Sequence, residues 1–220
     1  MKKKTLIYIG FFILLFTGFY YGLKMTIPGY GDVKMPVLNY VQPFSFVNQY
    51  DQVITQKDVA GKVYLAEYFF TTCKGICPKM NNNMKKLYTI FKDEKNFCIL
   101  SHTVDPETDT VARMKRYADS LGVSTGNWWF LTGRKDSLYQ AARVSYLLDD
   151  PNNGHSKIED QFIHTQFFAL VDKNGRVRKI YDGLKSDELT ELEKDIPKLL
   201  NEKPTGSFVN SIFNNNSNSN

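Results

Sequence analysis

Cys73 and Cys77 stand four residues apart in the run TTCKGICPKM, at the point where an apolar strand-like segment gives way to a helical one. Cys73 falls in the turn leaving the strand and Cys77 at the start of the helix. Both sulfurs are therefore expected at the carboxyl end of a sheet, where ligands and reaction centres gather. Unpaired backbone N–H groups, the positive helix end and the neighbouring Lys74 all favour thiolate over thiol. Two thiolates at one point suit a soft metal or reversible disulfide chemistry. A static disulfide, or two small buried residues, would use the same letters, but a strand-to-helix turn holding Gly75 and Pro78 is an unusual place for an inert pair.

The other candidate ligands read more plainly. Cys98 lies in FCIL, where a free cysteine behaves as a small hydrophobe. Met80 and Met84 could supply thioether sulfur, yet their helical spacing with Leu87 makes them core residues. His102 opens the turn after a strand and is read as a hydrogen-bonded structural residue, with a supporting or substitute ligand as the alternative. His155, in NNGHSK, is expected to be exposed. His164, judged alone, would be a solvated or hydrogen-bonded residue at a strand edge. Asp105 is assigned a structural role, such as capping the helix that follows.

The elements that must position these residues follow from periodicity. Short alternating pieces near Phe44–Phe46 and Val53–Thr55 predict a hairpin, and KVYLAEYFF, residues 62–70, predicts a central strand. Met80, Met84, Leu87 and Phe91 recur at helical spacing, with Pro78 suited to the first turn. A strand over 97–104 precedes a helix whose apolar side holds Val111, Met114, Ala118 and Leu121; WWFLT is a further strand, and a short helix covers 137–144. Two strand-like runs joined by Asp172–Lys173–Asn174–Gly175 predict a second hairpin, and a closing helix spans about 186–200. Strands alternating with helices argue an α/β sandwich.

With 220 residues, 42% of them apolar, the chain can form one folded domain with appendages. The net charge of +5 owes part of its size to Lys2, Lys3 and Lys4, so nucleic acid is not an expected partner. Residues 6–23 carry no charge, and at ~1.5 Å rise per residue they nearly cross a hydrocarbon core ~30 Å thick. No small-x-small cleavage site follows, so residues 1–24 are read as an uncleaved membrane anchor. The lysines before it favour a cytoplasmic N-terminus, which puts the remainder on the far, oxidising side. Residues 25–41 form a tether, 42–205 the folded domain, and the Asn/Ser-rich 206–220 a disordered tail. Three cysteines are too few for a disulfide scaffold.

The segment FFTTCKGICPKM resembles the Cys-x-x-x-Cys-Pro motif of the Sco/SenC family, HTVDPETDT at 102–110 is similar to its Val-Asp-Pro-Glu-x-Asp-Thr stretch, and FIHTQFFALVDKNGRV resembles its segment in which a histidine precedes a strand and hairpin. The resemblance implies a thioredoxin-like fold, a central mixed sheet flanked by helices. It also implies one copper ion per chain, Cu(I) or Cu(II), held by Cys73, Cys77 and His164, with Cys73 and Cys77 also able to act as a redox-active pair. The family serves the binuclear copper centre of respiratory oxidases, by delivering copper or by reducing the centre's thiols. That implies a copper donor and a copper-accepting oxidase subunit as partners, at the extracytoplasmic face of a bacterial inner membrane. Two departures stand out: Lys74 where the family commonly has proline, and His102 where it has an apolar or aromatic residue.

Three rivals use the same residues differently. A membrane-anchored thiol–disulfide oxidoreductase needs only Cys73 and Cys77; it leaves His164 unexplained, and it lacks the two-residue spacing of ordinary thioredoxins. A thiol peroxidase would have threonine or serine where Phe70 stands. A structural zinc site would take Cys73, Cys77, His164 and His102 as four tetrahedral ligands. The protein is not expected to be a classical enzyme, apart from a thiol–disulfide reductase activity that the cysteine pair would allow.

Overall fold

The computed structural model describes residues 3–26, 34–123, 126–149 and 165–202. The chain divides into two units, Met1–Met35 and Pro36–Asn220. The first contains helix α1 (Lys3–Thr26), whose isoleucine and phenylalanine side chains are exposed, with Leu6, Leu14 and Leu15. By length and composition this helix can cross a membrane. Two of its threonines close on the helix itself: Thr17 Oγ1 donates to the Ile13 carbonyl at 2.6 Å and Thr26 Oγ1 to that of Gly22 at 2.8 Å, which suits an apolar surrounding.

The second unit is built on eight strands: β1 (Asn39–Tyr40), β2 (Ser45–Asn48), β3 (Val53–Thr55), β4 (Val63–Phe69), β5 (Phe97–Thr103), β6 (Trp128–Thr132), β7 (Phe167–Val171) and β8 (Arg176–Asp182). They form one sheet in the order β1-β8-β7-β4-β5-β6-β2-β3. The central β4, β5 and β6 run parallel, and the outer pairings are antiparallel, which makes the sheet mixed. Parallel neighbours need long crossovers, supplied by helices α2 (Cys77–Phe91) and α3 (Val111–Ser120).

Every residue of β4 and β5 is buried, because both faces of the sheet are covered. Alternation then divides them. Tyr64, Ala66, Tyr68, Cys98 and Leu100 join the core that contains Leu138 and Tyr146. Glu67, Phe69 and Ser101 turn the other way: Phe69 stacks on Tyr117 of α3 at 5.3 Å, and Tyr88 of α2 meets Trp128 at 5.3 Å. In α2 the predicted face is buried at Met80, Met84 and Leu87, with Phe91 half-buried. Helix α3 begins on Thr110, whose hydroxyl accepts the Arg113 N–H, and not on Asp105. It ends on Gly122 at φ +72°, where Val123 N–H reaches the Ala118 carbonyl and Gly122 N–H that of Asp119.

Both predicted hairpins are present. In the second, Asp172 Oδ1 accepts the N–H groups of Asn174 (2.9 Å) and Arg176 (3.1 Å), and Gly175 takes φ +70°. The helix predicted at 137–144 starts earlier, as α4 (Lys135–Gln140), and continues as a π-helical turn, Ala141–Tyr146, that stops at Leu147 with φ +57°. This turn buries Ala141, Ala142, Ser145 and Tyr146. Strand β1 lies within the 25–41 stretch read as a tether, pairing with β8 through Leu38 N–H to Val177 O and Val41 N–H to Gly175 O. The closing helix α5 (Ser186–Asn201) buries Leu192, Ile196 and Leu199.

Candidate metal centre

Strand β4 delivers the chain to a seven-residue connection, and α2 begins at Cys77. Cys73 is half-buried and Cys77 only 4% exposed; both are free thiols. Cys73 lies near enough to Cys77 to act on its thiol. The connection is pinned close to Cys73, whose N–H reaches the Phe70 carbonyl at 3.2 Å.

A second fastening was not visible in the sequence. Asp109, fully buried, accepts the Thr71 N–H at 3.1 Å, the Thr71 hydroxyl, and the Thr103 hydroxyl at 2.6 Å. Arg113 Nε donates to Thr71 Oγ1 at 2.7 Å. One carboxylate thus ties the cysteine loop to the end of β5 and to the entrance of α3. The only sequence signal was an acid one residue before a helix cap with arginine four residues on. Asp109→Ala leaves three donors without their acceptor, two on half-buried Thr71 and one on buried Thr103, the last costing about 1–3 kcal/mol. The variant should unfold at lower denaturant, and its Cys73 should alkylate faster in the native state.

The expected thiolate-favouring environment holds less well for Cys77. Burial pushes its thiol up to about 12, and the nearby Cys73 adds to the rise; a backbone hydrogen bond with Phe70 opposes it, and repulsion from Cys73 and Glu67 reinforces it. A helix N-terminus is worth only about 0.3–1 kcal/mol in ordinary settings, which desolvation exceeds. Cys77 is therefore a held proton at neutral pH, released when something takes its place. Cys98, fully buried, is likewise pushed up to about 12 by burial and packs as a hydrophobe.

His102 belongs to the opposite face of the sheet from Glu67. Its ring stacks on Tyr68 at 4.9 Å, meets Tyr146 at 5.2 Å and stands edge-on to Phe46 at 5.4 Å. Nδ1 lies 3.3 Å from the Glu67 carbonyl, and Nε2 has no partner among the described residues. The structure therefore does not bring His102 to the cysteine pair, and the four-ligand zinc arrangement loses one of its members. Burial pushes His102 down to about 4 from 6.5. A depressed histidine resists protonation when folded, so stability falls as pH drops from 6.5 through 4, by about 3 kcal/mol. The difference in unfolding free energy between wild type and His102→Phe should shrink by that amount over this range in pH-dependent denaturation, and a constant difference would refute the assignment.

His155 and His164 lie outside the described residues. Thr165 resumes the chain, buried, two residues before β7, and β7 runs antiparallel to β4 with Ala169 opposite Ala66. The beginning of β7 is thus at the carboxyl end of β4, the end that leads to Cys73. Among the described residues no three of His, Cys, Asp and Glu gather as a metal site.

A family model described as SCO1/SenC matches residues 34–201. The SCO1 protein homolog of Bacillus subtilis is 34% identical over 169 residues, covering 75% of this chain and 85% of that protein. A SCO1/SenC family lipoprotein from Bacillus anthracis superposes with TM-score 0.65 at 32% identity, covering 76% of this chain and 99% of its own. BsSco, in which a disulfide switch is identified and which is described as a member of the Sco family of cytochrome c oxidase assembly proteins, gives TM-score 0.65 at 33% identity, over 78% of this chain and 99% of its own. The mixed sheet with its flanking helices is the thioredoxin-like Sco fold. With the family model covering most of its length and the cysteine pair at the carboxyl end of β4, this chain belongs to the SCO1/SenC family.

Proposed function

We propose that the protein is a membrane-anchored copper chaperone that holds one copper ion, Cu(I) or Cu(II), through Cys73, Cys77 and His164 and passes it to the binuclear copper centre of a respiratory oxidase. The observation that carries this reading is the placement of two free thiols, one half-buried and one buried, in the turn and first helical residue that follow the carboxyl end of β4. Paired sulfur donors suit Cu(I), and an added imidazole makes such a site acceptable to Cu(II). BsSco's place among cytochrome c oxidase assembly proteins supports the choice of client. The half-buried Cys73 is the sulfur an acceptor can reach first, and Cys77 follows because it is shielded under the first turn of α2. Helix α1 and the lysines at its N-terminal end support a location of the folded unit on the extracytoplasmic side of a bacterial inner membrane.

A second reading, a membrane-anchored thiol–disulfide oxidoreductase acting on client cysteines, is favoured by the same free pair and by the disulfide switch identified in BsSco. Cells whose only copy carries His164→Ala separate the two. A chaperone leaves the oxidase without its copper centre, and excess copper in the medium restores it. Normal oxidase in that strain, with loss in the Cys73→Ser strain, would favour the reductase.

A further inference from the structure

Helix α2 carries three asparagines in succession, Asn81, Asn82 and Asn83, although asparagine competes for backbone hydrogen bonds and is a poor choice inside a helix. Asn81 and Asn83 are buried, and each reaches across to another element. Asn81 Nδ2 donates to the Tyr117 hydroxyl of α3 at 2.7 Å, and Asn83 Nδ2 donates to the Gly183 carbonyl at 2.9 Å, in the turn that leaves β8. The helix that begins at Cys77 is thus tied on two sides by side-chain amides.

Gly183 is gripped a second time. Its N–H donates to the Gln166 carbonyl at 2.8 Å, and Gln166 Nε2 donates to Oδ2 of Asp182 at 2.6 Å. A β-carbon at Gly183 would stand 2.5 and 2.8 Å from ring atoms of Phe168 and 2.9 Å from the Gln166 carbonyl oxygen, so glycine is what lets the turn lie this close to the segment entering β7. One residue therefore joins two distant pieces of chain. Its carbonyl holds the helix of Cys77, and its N–H holds Gln166, which follows His164 by two residues in the sequence.

We propose that Asn83 is a positioning residue for the copper site, acting through Gly183 and Gln166 to set the distance between His164 and the cysteine helix. This rests on the reading of His164 as a ligand, and adds what ties it to the sulfurs. Cys73 and Cys77 belong to one turn and the helix it enters, so local structure keeps them together. His164 comes from a remote part of the chain, and its distance from the pair depends on whatever links the two segments. An imidazole held in advance binds without the cost of ordering its segment. Cu(II), which favours imidazole, should feel this clasp; Cu(I), which two sulfurs can hold, should not.

The test is the copper affinity of the reduced full-length protein in detergent micelles without oxygen, by competition with a chelator suited to each oxidation state. Asn83→Ala should weaken Cu(II) binding on the order of 10–100-fold, as loss of a group that orients a ligand does, and leave Cu(I) binding unchanged. Added to His164→Ala it should cost nothing further, because its effect passes through that imidazole; a merely structural role would cost the same in either background. Copper must in turn tighten the clasp. Amide exchange of Gly183, followed by mass spectrometry, should therefore slow on Cu(II) loading of wild type and not of His164→Ala. Wild-type Cu(II) affinity in a folded Asn83→Ala, or an equal loss with and without His164, overturns the proposal. Should Asn83→Ala fail to fold, wild-type exchange decides: a Gly183 amide indifferent to bound Cu(II) overturns it. Wild-type Cu(II) affinity in His164→Ala sinks the ligand reading itself, and is distinct from an inert Asn83→Ala.

Discussion

Cys77→Ser should weaken Cu(I) binding of the reduced protein far beyond the roughly 10–100-fold that follows loss of a supporting residue around a metal. The substitution exchanges a soft sulfur for a hard hydroxyl of nearly the same size, in the first turn of α2, where the backbone is already fixed by Ile76 carbonyl bonds to Lys79 and Met80. Packing is little disturbed, so the loss reports ligation and not unfolding. Cys73→Ser should act equally, since two sulfurs are the minimum for tight Cu(I) capture. His164→Ala should be milder for Cu(I) and severe for Cu(II), which prefers imidazole. Competition against a colorimetric Cu(I) chelator measures each, and wild-type affinity in Cys77→Ser would remove that sulfur from the site.

The largest loss of stability is expected from Trp128→Ala, about 3–5 kcal/mol. Trp128 is wholly buried, stacks on Phe130 at 5.2 Å, and touches Tyr88 of α2. Its removal empties the layer between the sheet and α2 and takes away the indole N–H that donates to the Ser101 hydroxyl. Trp128→Phe fills most of that volume and should lose only about 1 kcal/mol, mainly the indole hydrogen bond. Guanidinium unfolding midpoints compare the two. A cost below about 1 kcal/mol for the alanine variant would contradict the packing described, because emptying a core of this kind is among the few changes with large effects.

What could be read from sequence was local. The spacing of Met80, Met84 and Leu87, the unbroken apolar run of β4 and the Asp172–Gly175 turn each declare an element within about a dozen residues, and each formed as expected. The cysteine pair was legible for the same reason, since strand and helix flank it directly. What escaped depends on partners far along the chain. The two-residue β1 exists because β8 offers it an edge, and nothing in residues 25–41 announces that. The face taken by His102 follows from its register opposite Tyr68, which parity within a strand alone does not reveal. The rise in the Cys77 thiol comes from burial under α2, and the Asp109 fastening from the meeting of Thr71 with Thr103 across the sheet. Glu67 did leave a signal, a lone acid within VYLAEYF, but its burial needed the knowledge that both faces of the strand are covered.

The three-ligand site is the centre of the account, and anaerobic titration of the reduced full-length protein in detergent with copper tests it most directly, following absorption and, for Cu(II), electron paramagnetic resonance. One equivalent bound per chain, with thiolate-to-copper charge-transfer bands for Cu(II) that weaken or shift in His164→Ala, is the predicted result. No stoichiometric copper, together with a readily reduced Cys73–Cys77 disulfide, would contradict the chaperone and leave the thiol–disulfide oxidoreductase in its place.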